Sequence, residues 1–162
     1  MLGRTYDNQI CSIARALDVF GERWSLLIIR DAVFAGVTRF SDIQHNLGIA
    51  TNVLSSRLDA FIDAGIMQRR RYSEHPEQYE YVLTEKGRDL APALIALTAW
   101  GDRWAAAGGP PIQYHHDACG GSIEQQIICA NCGPIDGAEV SAAPGPGMPL
   151  EYLANRRPQR AR

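Results

Sequence analysis

The chain has 162 residues, of which 46% are hydrophobic and 21% charged, with a formal net charge of -2. That length holds one hydrophobic core and a small appendage, and the composition is that of a folded globular protein. It excludes a nucleic-acid coat working through a global basic field, and the longest apolar run, Leu26 to Ile29 beside Trp24, is far too short to span a bilayer. The N-terminal MLGRTYDNQI lacks the apolar core of a secretory signal, so a cytoplasmic location is expected. Four cysteines in a chain this long do not make a disulfide scaffold; their clustering matters more than their number.

In chain order, Ser12 is the expected N-cap of a short helix carrying Ile13, Ala16, Leu17 and Phe20 at helical spacing. Gly21 breaks it. Trp24, Leu27, Ile28, Ala32 and Val33 then stripe a second helix that stops at Gly36. Ser41 caps a third, with Ile43 and Leu47 inward and Gly48 ending it. After Ile49-Ala50, Thr51 caps a fourth, in which Leu54, Leu58, Phe61 and Ile62 share one face. The opposite face shows Asn52, Ser55, Ser56, Asp59 and Asp63, and Gly65 is placed to close the helix.

QRRRYSEHPEQYEYVLT follows. Tyr79, Tyr81 and Leu83 alternate with Gln78, Glu80 and Val82, a period of two, while Ser73 to Glu77 with Pro76 inside is turn material. This predicts a β-hairpin. Thr84 then caps a last helix whose Leu90, Leu94, Leu97 and Trp100 form an apolar stripe. Gly87 and Pro92 weaken its first half. Composition makes residues 108–113 (GGPPIQ) a linker, 114–136 a second short unit, and 137–162 a flexible tail rich in Ala, Pro and Gly. That tail ends with Arg156, Arg157, Arg160 and Arg162.

Two short helices joined by a tight turn and followed by a hairpin predict a winged helix-turn-helix over residues 1–107, mainly α (α+β). In that geometry the fourth helix enters the DNA major groove, and the hairpin lies on the backbone or in the minor groove. Thr51, Asn52, Ser55 and Ser56 are short and reach base edges or phosphates without steric cost. Arg57 stands at the flank as a phosphate partner. Strand alternation puts Arg69 and Arg71 on one side and Arg70 on the other, so one or two arginines face DNA at once. His75 and Gln78 sit near the wing tip, beside the unfavourable Glu74 and Glu77. The first 107 residues carry nearly equal numbers of basic and acidic side chains, so a DNA reading rests on local placement.

The residues from Cys11 to Trp104 resemble the HxlR-type winged-helix transcriptional regulators of bacteria. The resemblance is carried by Cys11 before the first helix, G-x-x-W at Gly21 to Trp24, and G-x-x-R-F at Gly36 to Phe40, which adds Arg39 to the DNA-contacting set. It continues through L-x-x-R-L at Leu54 to Leu58, A-G-I-x-x-R-R, and Y-x-L-T-x-x-G at Tyr81 to Gly87. Ser12 departs from the proline usual in the family at that place. The resemblance implies a homodimeric repressor on a pseudo-palindromic operator, with the first and last helices building the interface. The stripe Leu94, Leu97 and Trp100 agrees with that; its other reading is packing within one subunit.

A second cluster lies downstream. His116-x-x-Cys119-Gly and Cys129-x-x-Cys132-Gly share one spacing, and two such turns present three thiolates and one imidazole, the tetrahedral set of a structural zinc. His115 is the rival nitrogen ligand, but only His116 restores the repeat. Few apolar residues surround the cluster, too few to fold a unit alone, so a small zinc-ribbon-like unit is expected. The other reading is a Cys129–Cys132 redox pair or free thiols. Cys11 is read either as a small buried residue at the dimer interface or, as in several relatives, as a redox sensor. The resemblance thus admits a small-molecule or oxidant effector. The chain shows no Ser-His-Asp set, phosphate loop or paired carboxylates, so catalysis is not expected. A winged helix that binds only proteins is the remaining alternative.

Overall fold

The computed structural model describes residues 6, 7 and 9–149. The four terminal arginines of the tail lie outside them. Helices α1 (Ser12–Phe20), α2 (Ser25–Phe34), α3 (Phe40–Leu47) and α4 (Thr51–Asp63) lead into a hairpin of β1 (Met67–Glu74) and β2 (Glu77–Leu83). A single turn α5 (Glu85–Arg88) and the longer α6 (Ala91–Trp104) complete the winged helix. Beyond it, β3 (Ile127–Cys129) and β4 (Gly133–Ile135) pair antiparallel, and a 3-10 turn spans Gly137–Glu139. The chain divides into two compact units, Met1–Gln125 and Gln126–Arg162. The division falls past the 108–113 segment because residues 114–123 fold back in the first unit, with the Tyr114 ring 4.4 Å from that of Phe34.

The core of the first unit is one cluster: Ile28 and Ile29 of α2, Ile43 of α3, Leu54, Leu58 and Phe61 of α4, Met67 at the base of the wing, and Leu94 of α6. Each large apolar side chain fully buried here contributes about 1.5–3 kcal/mol. The predicted stripe of α4 therefore fixes that helix about its own axis. Its end is locked by the Ile66 N–H on the Phe61 carbonyl (2.8 Å) and the Gly65 N–H on the Ile62 carbonyl (2.9 Å), the paired bonds of a Schellman motif.

The caps differ from expectation. Cys11, Arg39 and Ala50, not Ser12, Ser41 and Thr51, hold the N-cap positions, none with a side-chain capping bond. The hydroxyls are committed elsewhere: Thr51 Oγ1 accepts from Gln44 Nε2 at 2.7 Å, and Ser41 Oγ donates to Asp42 at 3.1 Å. Trp24 lies one residue outside α2, at φ 78. A left-handed tryptophan costs about 1–2 kcal/mol, which its packing against the core offsets. Thr84 does cap as expected, accepting from the Gly87 N–H at 3.2 Å. The last helix is split at Asp89–Leu90, which moves Pro92 into the first turn of α6, where its missing N–H is harmless.

Gly87 is where α5 meets the wing. A Cβ there would stand 2.3 Å from the Ile66 carbonyl oxygen and 2.8 Å from a Leu83 methyl, so only glycine fits. The same junction is tied by Thr84 Oγ1 donating to the Gly65 carbonyl and Lys86 Nζ to the Ala64 carbonyl, both at 2.7 Å.

The wing is longer than its sequence pattern suggests, since the strands run to Glu74 and from Glu77 and leave only His75 and Pro76 in the turn. Thr38 and Arg39 add a short third edge: the Tyr81 N–H bonds the Thr38 carbonyl at 2.7 Å, and Arg39 bridges Glu80. Glu80 is the knot. Its carboxylate accepts from Thr38 Oγ1 and from Arg70 Nε, both at 2.8 Å, and those two bonds hold its carboxyl below the ordinary glutamate value. A depressed carboxyl contributes stability above its unfolded value of 4.5 and loses it as pH falls through the lower folded value. Glu80→Gln is accordingly expected to melt at lower temperature than the parent at pH 7. The gap should close on acidification below pH 4.5, as followed by circular dichroism; a pH-independent gap would remove the carboxylate from this role.

Candidate nucleic-acid interface

Because Leu54, Leu58 and Phe61 are fully buried, the opposite face of α4 must look outward. Thr51, Asn52, Ser55 and Ser56 are all exposed there. No side chain caps the helix; the Val53 and Leu54 N–H groups both bond the Ala50 carbonyl at 3.0 Å, and the positive end of the helix dipole at Thr51 and Asn52 is attractive to phosphate. The Gln44–Thr51 bond ties the first turn of α4 to α3, so the two helices of the motif present one surface. The polar ridge is low. Nothing on it is longer than asparagine, which lets the helix axis approach a groove closely.

The wing supplies the cations, and the strand alternation predicted for them holds. Arg70 points to the Glu80 side, where its guanidinium grips the carboxylate (NH2 at 2.8 Å). Arg69 lies over the Tyr79 ring at 3.5 Å, and Arg39 over Tyr72 at 4.6 Å. Arg71 meets the two acidic residues that sequence alone left unexplained, Glu74 at 3.3 Å and Glu77 at 3.8 Å. All three of these side chains are more than half exposed, so each pair contributes about 0–1 kcal/mol and yields readily to a phosphate. The Tyr79 hydroxyl bonds Glu77, which pushes the phenol up. Gln78 accepts from the Tyr72 hydroxyl and keeps its amide donors. His75 is exposed at the tip.

Two expected roles change. The Arg57 side chain is only 15% exposed and stands 3.8 Å from Glu22, so it pairs with the α1–α2 turn and is less free than a flanking cation was expected to be. Leu94 is 6% exposed and belongs to the core of its own subunit. Leu97 (53%) and Trp100 (64%) remain outside, joined by Trp104 (66%), which the stripe had missed because it lies a turn beyond the last periodic leucine. Beside them Leu26, Leu27, Leu97 and Trp100 border an apolar cavity of about 410 Å³. Ile13 and Leu17 of α1 are exposed as well. The role of Tyr72 and Tyr79 as platforms for arginine escaped the sequence reading; Tyr72 stands at the register shift between Arg71 and Ser73, which no pattern signals.

The thiols fall into separate settings. Cys11, at the N-cap of α1, is exposed, and the N–H groups of Ala14 and then Ile13 hold its thiol below the usual range. In the first unit His116 Nδ1 is 3.2 Å from Cys119 Sγ. In the second, Cys129 and Cys132 bound the turn between β3 and β4. The Asn131 N–H, followed by that of Cys132, draws the Cys129 thiol down, while its bond to Cys129 pushes Cys132 up. The glycine after each pair takes positive φ, Gly120 at 70 and Gly133 at 84. Among the described residues no group of three or more His, Cys, Asp or Glu side chains is gathered to hold a metal, and no helix is long and apolar enough to cross a membrane.

Comparison with known proteins adds an independent line. Residues 19–108 match the HxlR-like helix-turn-helix family model. Rv3095 of Mycobacterium tuberculosis, an uncharacterized HTH-type transcriptional regulator, is 46% identical over 146 residues, which cover 89% of this chain and 92% of that protein. The crystal structure of PA1607, a candidate transcription factor, superposes with a TM-score of 0.76 at 34% identity over 85% of this chain and 97% of its own. The redox regulator HypR in its reduced form gives 0.53 at 29% identity over 57% of this chain and 92% of its own. The similarity to PA1607 thus runs past the winged helix, whereas that to HypR is confined to a shorter stretch.

Proposed function

The chain belongs to the HxlR-like helix-turn-helix family of transcriptional regulators, and on that premise we propose that it is a homodimeric repressor acting in the cytoplasm on a pseudo-palindromic operator. It is a DNA-binding regulator and not an enzyme. The observation that carries the finer reading is the exposed ridge Thr51, Asn52, Ser55 and Ser56, held rigid by a fully buried stripe and flanked by wing arginines. α4 enters the major groove, and Asn52, Ser55 and Ser56 read base edges. Arg39, Arg69 and Arg71 meet phosphates, with His75 and Gln78 at the minor groove or backbone beside the tip. Arg57 acts through Glu22, by fixing α4 against the α1–α2 turn.

A second copy is the partner best suited to the exposed Leu97, Trp100 and Trp104, since contiguous apolar surface of this kind marks association. Leucine and tryptophan on α6 with Ile13 and Leu17 on α1 support the first-and-last-helix interface. Two copies would set their α4 helices about 34 Å apart, one turn of DNA. Structural zinc through the His116-x-x-Cys119 and Cys129-x-x-Cys132 pairs rests on the repeated spacing and on the turn glycines. Four protein ligands would leave no coordination position open, so the ion would contribute folding energy only. A redox-responsive regulator is the second reading, favoured by the exposed, acidified Cys11 and by the redox regulator among the similar structures.

Three measurements test these readings. Footprinting on the DNA upstream of the gene should protect a two-fold site. Arg69→Ala and Arg71→Ala should each weaken it and lower the slope of log affinity against log salt by about 0.9; unchanged slopes in both would refute the wing contacts. Freshly purified protein should carry about one zinc per chain, and Cys132→Ser should lose it; metal-free wild type would end that proposal. Diamide should release the DNA from wild type but not from Cys11→Ser, and equal release from both would clear Cys11.

A further inference from the structure

A second cavity, of about 200 Å³, lies along α6 within the first unit, and none of the residues lining it is assigned to DNA. Ile95, Thr98 and Asp102 of α6 form one wall; Ile112, Tyr114 and Ile123 form the other. The second wall is an ordered element. The Ile123 N–H bonds the Tyr114 carbonyl at 3.1 Å and the His116 N–H bonds the Gly121 carbonyl at 2.8 Å. The Tyr114 ring leans on Phe34, with its hydroxyl 3.5 Å from Thr98 Oγ1.

Asp102 is what distinguishes this cavity from an ordinary surface cleft. It is half-buried in a lining that is mostly apolar but includes the neutral Gln113 and Ser122, and it has no ion pair or hydrogen bond among the described residues. The neighbouring Arg103 does not neutralise it, since its guanidinium lies over the Trp104 ring at 4.8 Å. Asp102 also stands in the last turn of α6, where the helix dipole is negative and a carboxylate is least welcome. Two negative contributions therefore converge on one small, mainly apolar space, and no cation among the described residues lines it to answer them.

We propose that this cavity is an effector site for a small organic cation, a protonated amine on a compact apolar body, with Asp102 as its counter-charge. The volume lies below the roughly 300 Å³ at which pockets for drug-sized ligands begin, which limits the body to about one ring. A neutral ligand of the same shape would leave the carboxylate unpaired, and an anion would be repelled. The term effector rests on the regulator reading above. Thr98 borders both this cavity and the apolar cavity beside Leu97 and Trp100, so an occupant bears on the helix assigned to dimerisation.

The test is titration calorimetry on the full chain with benzylamine, benzyl alcohol and benzoate. Benzylamine should bind saturably, at least about tenfold tighter than the alcohol, with benzoate weakest. Asp102→Asn should reduce the amine-to-alcohol ratio to near one while leaving the melting temperature unchanged, and Ile123→Trp should block both ligands. Equal binding of amine and alcohol to wild type, an unchanged ratio in Asp102→Asn, or no binding at millimolar amine would each overturn the site. Benzylamine should also shift the operator-binding midpoint of wild type but not of Asp102→Asn, and a wild-type midpoint that does not move would remove the effector role. A chain that binds amine but no DNA would instead refute the regulator reading and leave the site standing.

Discussion

The whole arrangement depends on the burial of one side of α4. Leu54, Leu58 and Phe61 have no solvent exposure, and they interlock with Ile28, Ile29 and Ile43 from the two preceding helices. A helix of thirteen residues gains little stability on its own in water, so this packing is what keeps it both helical and oriented. The orientation is then transferred to the polar side. Small side chains such as Ser55 and Ser56 cannot choose their own direction far from the helix, so the core beneath them decides where their hydroxyls stand.

An acidic chain can still meet an acidic polymer because its positive charge is concentrated and provisionally paired. Arg70 is spent on structure at Glu80, whereas Arg71 is paired only with exposed carboxylates at the tip. The distinction is one of burial. The Glu80 side chain is 15% exposed and shares its bonds with Thr38, so breaking that pair would strand a partly desolvated charge. The tip pairs have water as an alternative and a phosphate as a better one. Stacking of Arg39 and Arg69 on tyrosine rings orients their guanidinium planes before any partner arrives.

Most of this was legible in the residues, for a physical reason. The order of helices and hairpin follows from apolar periods of 3.6 and 2, and the periods survive because each element buries one side. The alternation of Arg69, Arg70 and Arg71 was readable for the same cause. The caps were not, because Ser41 and Thr51 had partners outside the usual pattern. Nor was the inward turn of Leu94: a stripe on a long helix does not say which part faces its own subunit. The Arg57–Glu22 pair was not readable because Glu22, distant in sequence, meets Arg57 only after α4 has docked. Asp102 gave no signal at all, since an acidic residue in a helix is ordinary until its surroundings are known.

The clearance at Gly87 has a mechanical corollary. The turn α5 sits against the Ile66 carbonyl with no room even for a methyl group, and Thr84 and Lys86 clamp it to Gly65 and Ala64. That joint has no backlash. A tilt imposed on α6 must either flex the short Asp89–Leu90 link or swing the hairpin with it, as a shaft turns a rigidly keyed arm.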